Sequence, residues 1–255
     1  MHSLPHQPHR PTRIALRLVM GTFGRLVTVE GCDRLASMPD PMLFVLNHNN
    51  SVESVVVPSA LIECRGGRLI TFMIDWMFLH IPLVGYTMRL IDPIPVYTKP
   101  ARFKIGESYR RARRHLSPVD AAVNRLARGD SVGVFPEGTR NPDPERLRAP
   151  RSGVGHLVLR SEAPVLPIGI EYPAARRIGR APTIGRATIR VGEPIDFETE
   201  RREVRRDRTD ELDSRRFLEL RRHVADTIMS ALEPLSGKRY RRPDRAVTEV
   251  RDEAV

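Results

Sequence analysis

The sequence predicts an α/β fold, a mainly parallel sheet flanked by helices, with an N-terminal amphipathic helix at a membrane surface. Three observations carry that expectation. Short apolar runs alternate with stretches of helical periodicity, the pattern of a parallel sheet whose crossovers are helices. Two polar clusters, NHNNSVES (47–54) and FPEGTR (135–140), each directly follow an apolar run, and α/β folds gather their chemistry at the carboxyl ends of strands. A chain of 255 residues with 40% hydrophobic content can bury the core of one large domain, and no internal repeat or second domain is expected.

Residues 1–11, MHSLPHQPHRP, are rich in Pro and His with little to bury, and are expected to form a disordered arm. Thr12 reads as the N-cap of a helix reaching Leu26. At 100° per residue its Arg13, Arg17 and Arg25 share a sector opposite Leu16, Val19, Met20, Phe23 and Leu26. Such a helix suits a membrane interface, arginines toward headgroups and apolar face toward acyl chains. A helix packed on its own domain shows the same pattern. Arg17 and Arg25 interrupt the apolar run and no small-residue cleavage site follows it. Neither a secretory signal nor a span of roughly 20 apolar residues is therefore expected.

Strands are expected at 27–29, 42–46, 68–73, 131–135, 165–170 and 187–191, and helices near 52–64, 81–90, 104–128 and 153–161. The charge run RREVRRDR (201–208) reads as a solvated loop or helix start. Phe217, Leu218, Val224, Ala225, Ile228, Met229 and Leu232 recur at helical spacing, as in a closing helix over the core. The domain is expected over 12–236, followed by a polar mobile tail over 237–255.

Lys and Arg number 42 against 31 Asp and Glu, a net charge of +11 that draws the chain to phospholipid headgroups, nucleic acid or an acidic carrier protein. Basic residues are spread along the chain without a nucleic-acid motif and aromatics make up only 5%, so no specific nucleic-acid partner is expected. Cys32 and Cys64 lack metal-ligand spacing. They read as buried thiols of a reducing compartment, with a single disulfide as the alternative. No metal constellation is visible, and a cytoplasmic location is expected.

His48 could take a proton from an alcohol near neutral pH, and a carboxylate on its other nitrogen would fix the tautomer. Glu53 can supply that carboxylate. Five residues correspond to about 140° on a helix, so His48 must sit in the turn before a helix that carries Glu53 in its first turn. In FPEGTR, Pro136 and Gly138 make a turn after a strand, and the planar guanidinium of Arg140 suits a phosphate. Asp75, Trp76 and His80 read as a packing or membrane-facing patch, and His156 as a hydrogen-bonded helix residue.

NHNNSVES, FPEGTR and VLPIGI (165–170) resemble, in order and spacing, the signature blocks of glycerolipid acyltransferases typified by 1-acylglycerol-3-phosphate acyltransferase. VEGCDRL (29–35) resembles the family's entry strand, and HIPLVG with DPIPVY its second block. The likeness spans roughly residues 12–235. It implies phospholipid biosynthesis by acyl transfer from acyl-CoA or acyl-carrier protein, a co-substrate rather than a cofactor, to a lysolipid-like acceptor. The place would be the cytoplasmic side of the cell membrane, as a peripheral, monotopic protein among anionic lipids.

By this resemblance His48 is the general base and Glu53 stands where the family's H-x-x-x-x-D block has aspartate. Asn47, Glu137, Gly138, Thr139, Arg140, Arg151 and Gly153 match substrate-binding positions, and Pro167 an apolar strand lining the acyl region. Two departures stand out. Glutamate replaces aspartate at 53, and Thr98 falls where the second block usually ends in arginine, with Lys99 and Arg102 close by. They leave two alternatives: an acceptor other than simple glycerol phosphate, and a non-catalytic membrane-binding or scaffold protein on the same fold.

Overall fold

The computed structural model describes residues 9–50, 52–82, 84–100, 104–172, 177–178, 181–182, 186–206 and 215–242. Residues 1–8 of the expected N-terminal arm and 243–255 of the expected tail lie outside them. The expected α/β architecture is present. Strands β1 (Val27–Glu30), β2 (Leu43–Leu46), β3 (Ile70–Asp75), β4 (Ile94–Val96), β5 (Ser131–Val134), β6 (Val165–Glu171) and β9 (Ala187–Val191) form one sheet in the order β1-β9-β6-β2-β5-β3-β4. The short strands β7 (Arg177–Ile178) and β8 (Ala181–Pro182) pair separately. Neighbours in the large sheet are parallel except β6 and β9.

The helices are α1 (Arg10–Phe23), α2 (Cys32–Ser37), α3 (Glu53–Cys64), α4 (Val84–Arg89), α5 (Lys104–Arg113), α6 (Pro118–Ala127), α7 (Ser152–Arg160), α8 (Glu198–Arg206) and α9 (Arg215–Ser236). Successive side chains of a strand point to opposite faces. Leu43 and Val45 of β2 enter a core shared with α6, α7 and α9. Phe44 and Leu46 enter the opposite core, shared with α2, α3 and α4. Burial on both faces explains why β2 reads as an unbroken apolar run.

The helix expected over 104–128 is two helices. Ser117 accepts the Asp120 N–H through its Oγ at 3.1 Å and Pro118 opens α6, a cap-and-proline start that ends the preceding helix. Strand β4 is only three residues long and contains Pro95, tolerated there because β4 is an edge. Residues 201–206 of the charge run belong to α8, where buried Arg201 donates to the carbonyls of Val158 (3.2 Å) and Ala163 (2.6 Å), while the last two residues of the run lie outside the described residues.

Three expectations need correction. Helix α1 forms, but it starts at Arg10 inside the expected arm, and Thr12 is no cap: it is buried and donates to the Leu90 carbonyl at 3.2 Å. The apolar side of α1, with Leu16 and Met20, packs on its own domain against α3. The cause lies in α3, buried at nine positions around its circumference and so in need of cover on its outer side. Cys32 and Cys64 are joined in a disulfide rather than free, because α2 and the end of α3 bring their Cα atoms within 5.3 Å. Finally, Lys238 and Tyr240, expected in the mobile tail, are packed, Lys238 buried and the Tyr240 hydroxyl donating to Asp226 at 2.5 Å.

The amino ends of the strands are tied by Asp40. Its carboxylate accepts from buried Arg65, from Arg68 at 3.2 Å and from the Ser131 hydroxyl, which in turn accepts the Met42 N–H at 3.0 Å. The Arg65 guanidinium lies 5.0 Å from the centre of the Phe44 ring. Asp40→Ala strands a buried guanidinium and is expected to cost about 3 kcal/mol of stability, read as a lower urea midpoint. A midpoint unchanged within error would show that the network is dispensable.

Candidate active site

The carboxyl ends of β2, β5 and β6 lead directly into residues 47–50, 135–140 and Tyr172, which converge beside the N-terminus of α3. Local sequence sets that N-terminus. The Asn50 side chain accepts from the N–H groups of Val52 (3.0 Å) and Glu53 (3.3 Å), while the Glu53 carboxylate accepts from the Asn50 N–H at 3.3 Å. This is the reciprocal logic of a capping box, polar residue and glutamate three apart.

The cap turns the Glu53 carboxylate back onto the preceding loop. Glu53 Oε2 lies 3.0 Å from His48 Nδ1 and accepts from the Asn49 N–H at 2.7 Å. Oε1 accepts from the Asn49 side-chain amide at 2.9 Å. A carboxylate among donors accepts only, so the imidazole donates through Nδ1 and keeps Nε2 as its basic nitrogen. The imidazole stacks on Phe135, with ring centres 4.3 Å apart, and Phe135 leans on Phe72. Both His48 and Glu53 are buried. Tyr172 brings its hydroxyl to the side chains of Asn50 and Glu53, and burial together with the Glu53 charge raises its phenol above the ordinary value.

The other expected site residues divide into two groups. Asn47 is buried and bonded in both directions to Ile170, accepting its N–H at 2.6 Å and donating to its carbonyl at 2.9 Å, which ties β2 to β6. Glu137 is also buried, and its two oxygens accept the N–H groups of His48 (3.1 Å) and Arg148 (3.0 Å). Burial raises its carboxyl above the usual range, against the pull of those donors, Asn141 and Lys238. Asn47 and Glu137 therefore hold the loops together.

Gly138, Thr139, Arg140 and Arg151 face outward to differing degrees, with Gly138, Arg140 and Arg151 exposed. Gly138 has φ +63°, and a Cβ there would come within 2.6 Å of Arg151 Cγ, so only glycine suits this turn. The Arg151 N–H donates to the Pro136 carbonyl at 2.7 Å. Arg140 precedes Asn141, whose N–H donates to the His48 carbonyl at 2.7 Å, so the turn is tied to the backbone of residue 48. Gly153 lies in the first turn of α7, with Val119 as the nearest neighbour to its open side. Near the second block, Lys99 pairs with Asp75 at 3.1 Å, and Trp76 is buried and stacked on Tyr109. Arg102 lies outside the described residues.

Sequence reasoning gave no role to Asn49, Asn50, Phe135 or Tyr172. The Asn50-to-Glu53 spacing was a readable signal for one of them; the approach of Tyr172 has no local signature. Next to Glu53 a small open depression is lined by Phe23, Leu26, Asn50, Val56 and Tyr172 among others. Among the described residues no helix is long and apolar enough to cross a membrane, and no group of three or more His, Cys, Asp or Glu could hold a metal ion.

The family model described as Acyltransferase matches residues 26–171, more than half of the chain. The chain is 25% identical over 142 residues to a chloroplastic 1-acyl-sn-glycerol-3-phosphate acyltransferase of Arabidopsis thaliana, covering 56% of this chain and 35% of that protein. It is 24% identical over 140 residues to the corresponding chloroplastic protein of Brassica napus, covering 55% and 36%. The chain thus spans about a third of the length of these curated relatives. Its fold is similar to that of the 1-acyl-sn-glycerophosphate acyltransferase PlsC of Thermotoga maritima, with a TM-score of 0.55 at 19% identity, covering 88% of this chain and 79% of that one.

Proposed function

The chain belongs to the acyltransferase family, and on that footing we propose that it moves a fatty acyl group from an acyl thioester to a hydroxyl of a lysophospholipid-like acceptor. The observation that carries this reading is the buried contact between His48 Nδ1 and Glu53 at 3.0 Å, with the carboxylate held by Asn49 and Asn50. His48 Nε2 takes the acceptor's hydroxyl proton as that oxygen attacks the thioester carbonyl carbon. The carbon–sulfur bond then breaks, and the thiolate leaves with the proton returned by His48. Glu53 stabilises the imidazolium formed between the two transfers.

Exposed Arg140 and Arg151, both close to the turn at Gly138, supply positive charge for an acceptor phosphate. The apolar side chains beside Glu53, Phe23, Leu26, Val56 and Val57, offer an acyl chain a surface to lie against. The donor is acyl-CoA or acyl-carrier protein. Thr98 in place of an arginine, together with the engagement of Lys99 by Asp75, favours a headgroup other than simple glycerol phosphate. Attachment would be peripheral. With its inner face used up on α3, α1 would meet anionic lipid through Arg13 and Arg17 and through Ile14 and Leu18, 59% and 67% exposed.

The test is direct. Purified protein given labelled acyl-CoA or acyl-carrier protein, with a panel of lysolipids in anionic vesicles, is expected to form an acylated lipid and to sediment with the vesicles. No product from any pair would sink the acyltransferase reading. Protein left wholly in the supernatant would remove the membrane part alone.

A further inference from the structure

Lys238 is buried, 6% exposed, and forms no ion pair among the described residues. Its ammonium instead donates to two carbonyl oxygens, of Asp143 at 2.6 Å and of Asn141 at 3.4 Å. Burial pulls its pKa below the ordinary lysine value, against the charges of Glu137, Glu53 and Asp143. A buried ammonium is costly unless its donors are satisfied, so its placement calls for a structural reason.

The path of the chain supplies one. After α9, Gly237 at φ +68° turns the backbone, and a Cβ there would come within 2.6 Å of Glu171 Oε1. The reversed chain then runs alongside the loop that follows FPEGTR. The Arg239 N–H donates to the Glu145 carbonyl at 2.8 Å, and the Leu147 N–H donates to the Arg239 carbonyl at 2.9 Å. Tyr240 closes the strap on Asp226. The loop's other side reaches the site: Asn141 N–H binds the His48 carbonyl, and Arg148 N–H binds Glu137, which also holds the His48 N–H.

We propose that Lys238 is a positioning residue, clamping the loop of residues 141–148 so that the turn bearing Thr139 and Arg140 keeps its place relative to His48. This rests on the acyltransferase reading above, with that turn as the acceptor's seat. Lys238 lies beyond the matched residues 26–171. Charge-assisted hydrogen bonds are roughly twice as strong as neutral ones, which gives the ammonium an advantage over a neutral donor at two carbonyls.

Steady-state kinetics of Lys238→Met, with acceptor and thioester varied in turn, are expected to show an acceptor KM raised on the order of tenfold and a donor KM within about twofold of wild type. A smaller folded fraction alone would lower kcat and leave both KM values in place; that result overturns the clamp. Lys238→Gln keeps a neutral donor and is expected to fall between the two. It serves if the Met variant does not fold, and an unchanged acceptor KM in it is equally fatal. Hydrogen exchange at the amides of His48, Asn141 and Arg148 should quicken in either variant, and unaltered protection overturns the clamp without any turnover being measured. A wild type that transfers no acyl group counts instead against the acyltransferase reading, and the exchange result then decides the clamp by itself.

Discussion

His48→Ala is expected to lower acyl transfer by about a thousandfold, within the range a positioned general base contributes, while the protein stays folded. The reason for the second half is geometric. The backbone N–H and carbonyl of residue 48 remain bonded to Glu137 and Asn141 whatever the side chain. Glu53 keeps the amides of Asn49 and Asn50 after the imidazole is gone. The loss should therefore fall on kcat, with the thermal midpoint near that of wild type. Equal transfer by variant and wild type would remove His48 from the chemistry.

Glu53→Gln is expected to cost roughly a hundredfold to a thousandfold in rate. The carboxylate is surrounded by donors: His48 Nδ1 and the backbone N–H groups of Asn49 and Asn50 on one oxygen, the Asn49 amide on the other. Either orientation of a glutamine amide points a donor at a donor, and neither supplies the negative charge that steadies an imidazolium. Asn49 is held from flipping because its amide also donates to the Ile170 carbonyl at 3.1 Å. Glu53→Asp keeps the charge but withdraws it by about one carbon–carbon bond, roughly 1.5 Å. Its loss is expected near tenfold, smaller than that of the amide. A Gln variant as active as wild type would end the carboxylate's assigned part.

The same contacts give a physical account of the glutamate that stands in the family's aspartate position. Glu53 reaches back across its own helix cap, bonded to Asn49 and Asn50 and approached by the Tyr172 hydroxyl. The longer side chain suits a carboxylate that must meet donors from the preceding loop and from the end of β6.

How much could be read in advance follows the range of the interactions. The His48–Glu53 pair was legible because both residues belong to one loop and the first helical turn, and the Asn50 cap that orders them is local too. Strand β2 was legible because burial on both faces leaves an unbroken apolar run. The break before α6 was written in Ser117 and Pro118, but continuous periodicity across 104–128 hid it. The orientation of α1 was not legible, since an amphipathic stripe is the same whether it meets lipid or α3. Nor was the Cys32–Cys64 pairing, which depends on two elements 32 residues apart meeting.

The sequence by itself determined the α/β alternation, the family, and the turn in which an imidazole and a carboxylate would meet, because periodicity, capping and short motifs act over a few residues. Only the tertiary structure decided that Asn47 and Glu137 are ties between loops, that α1 turns its apolar side inward, and that Tyr172 and Lys238 reach the neighbourhood of the site. Those outcomes depend on which surfaces lie side by side once seven strands are ordered in a sheet, and residues far apart in the chain carry no local mark of that adjacency.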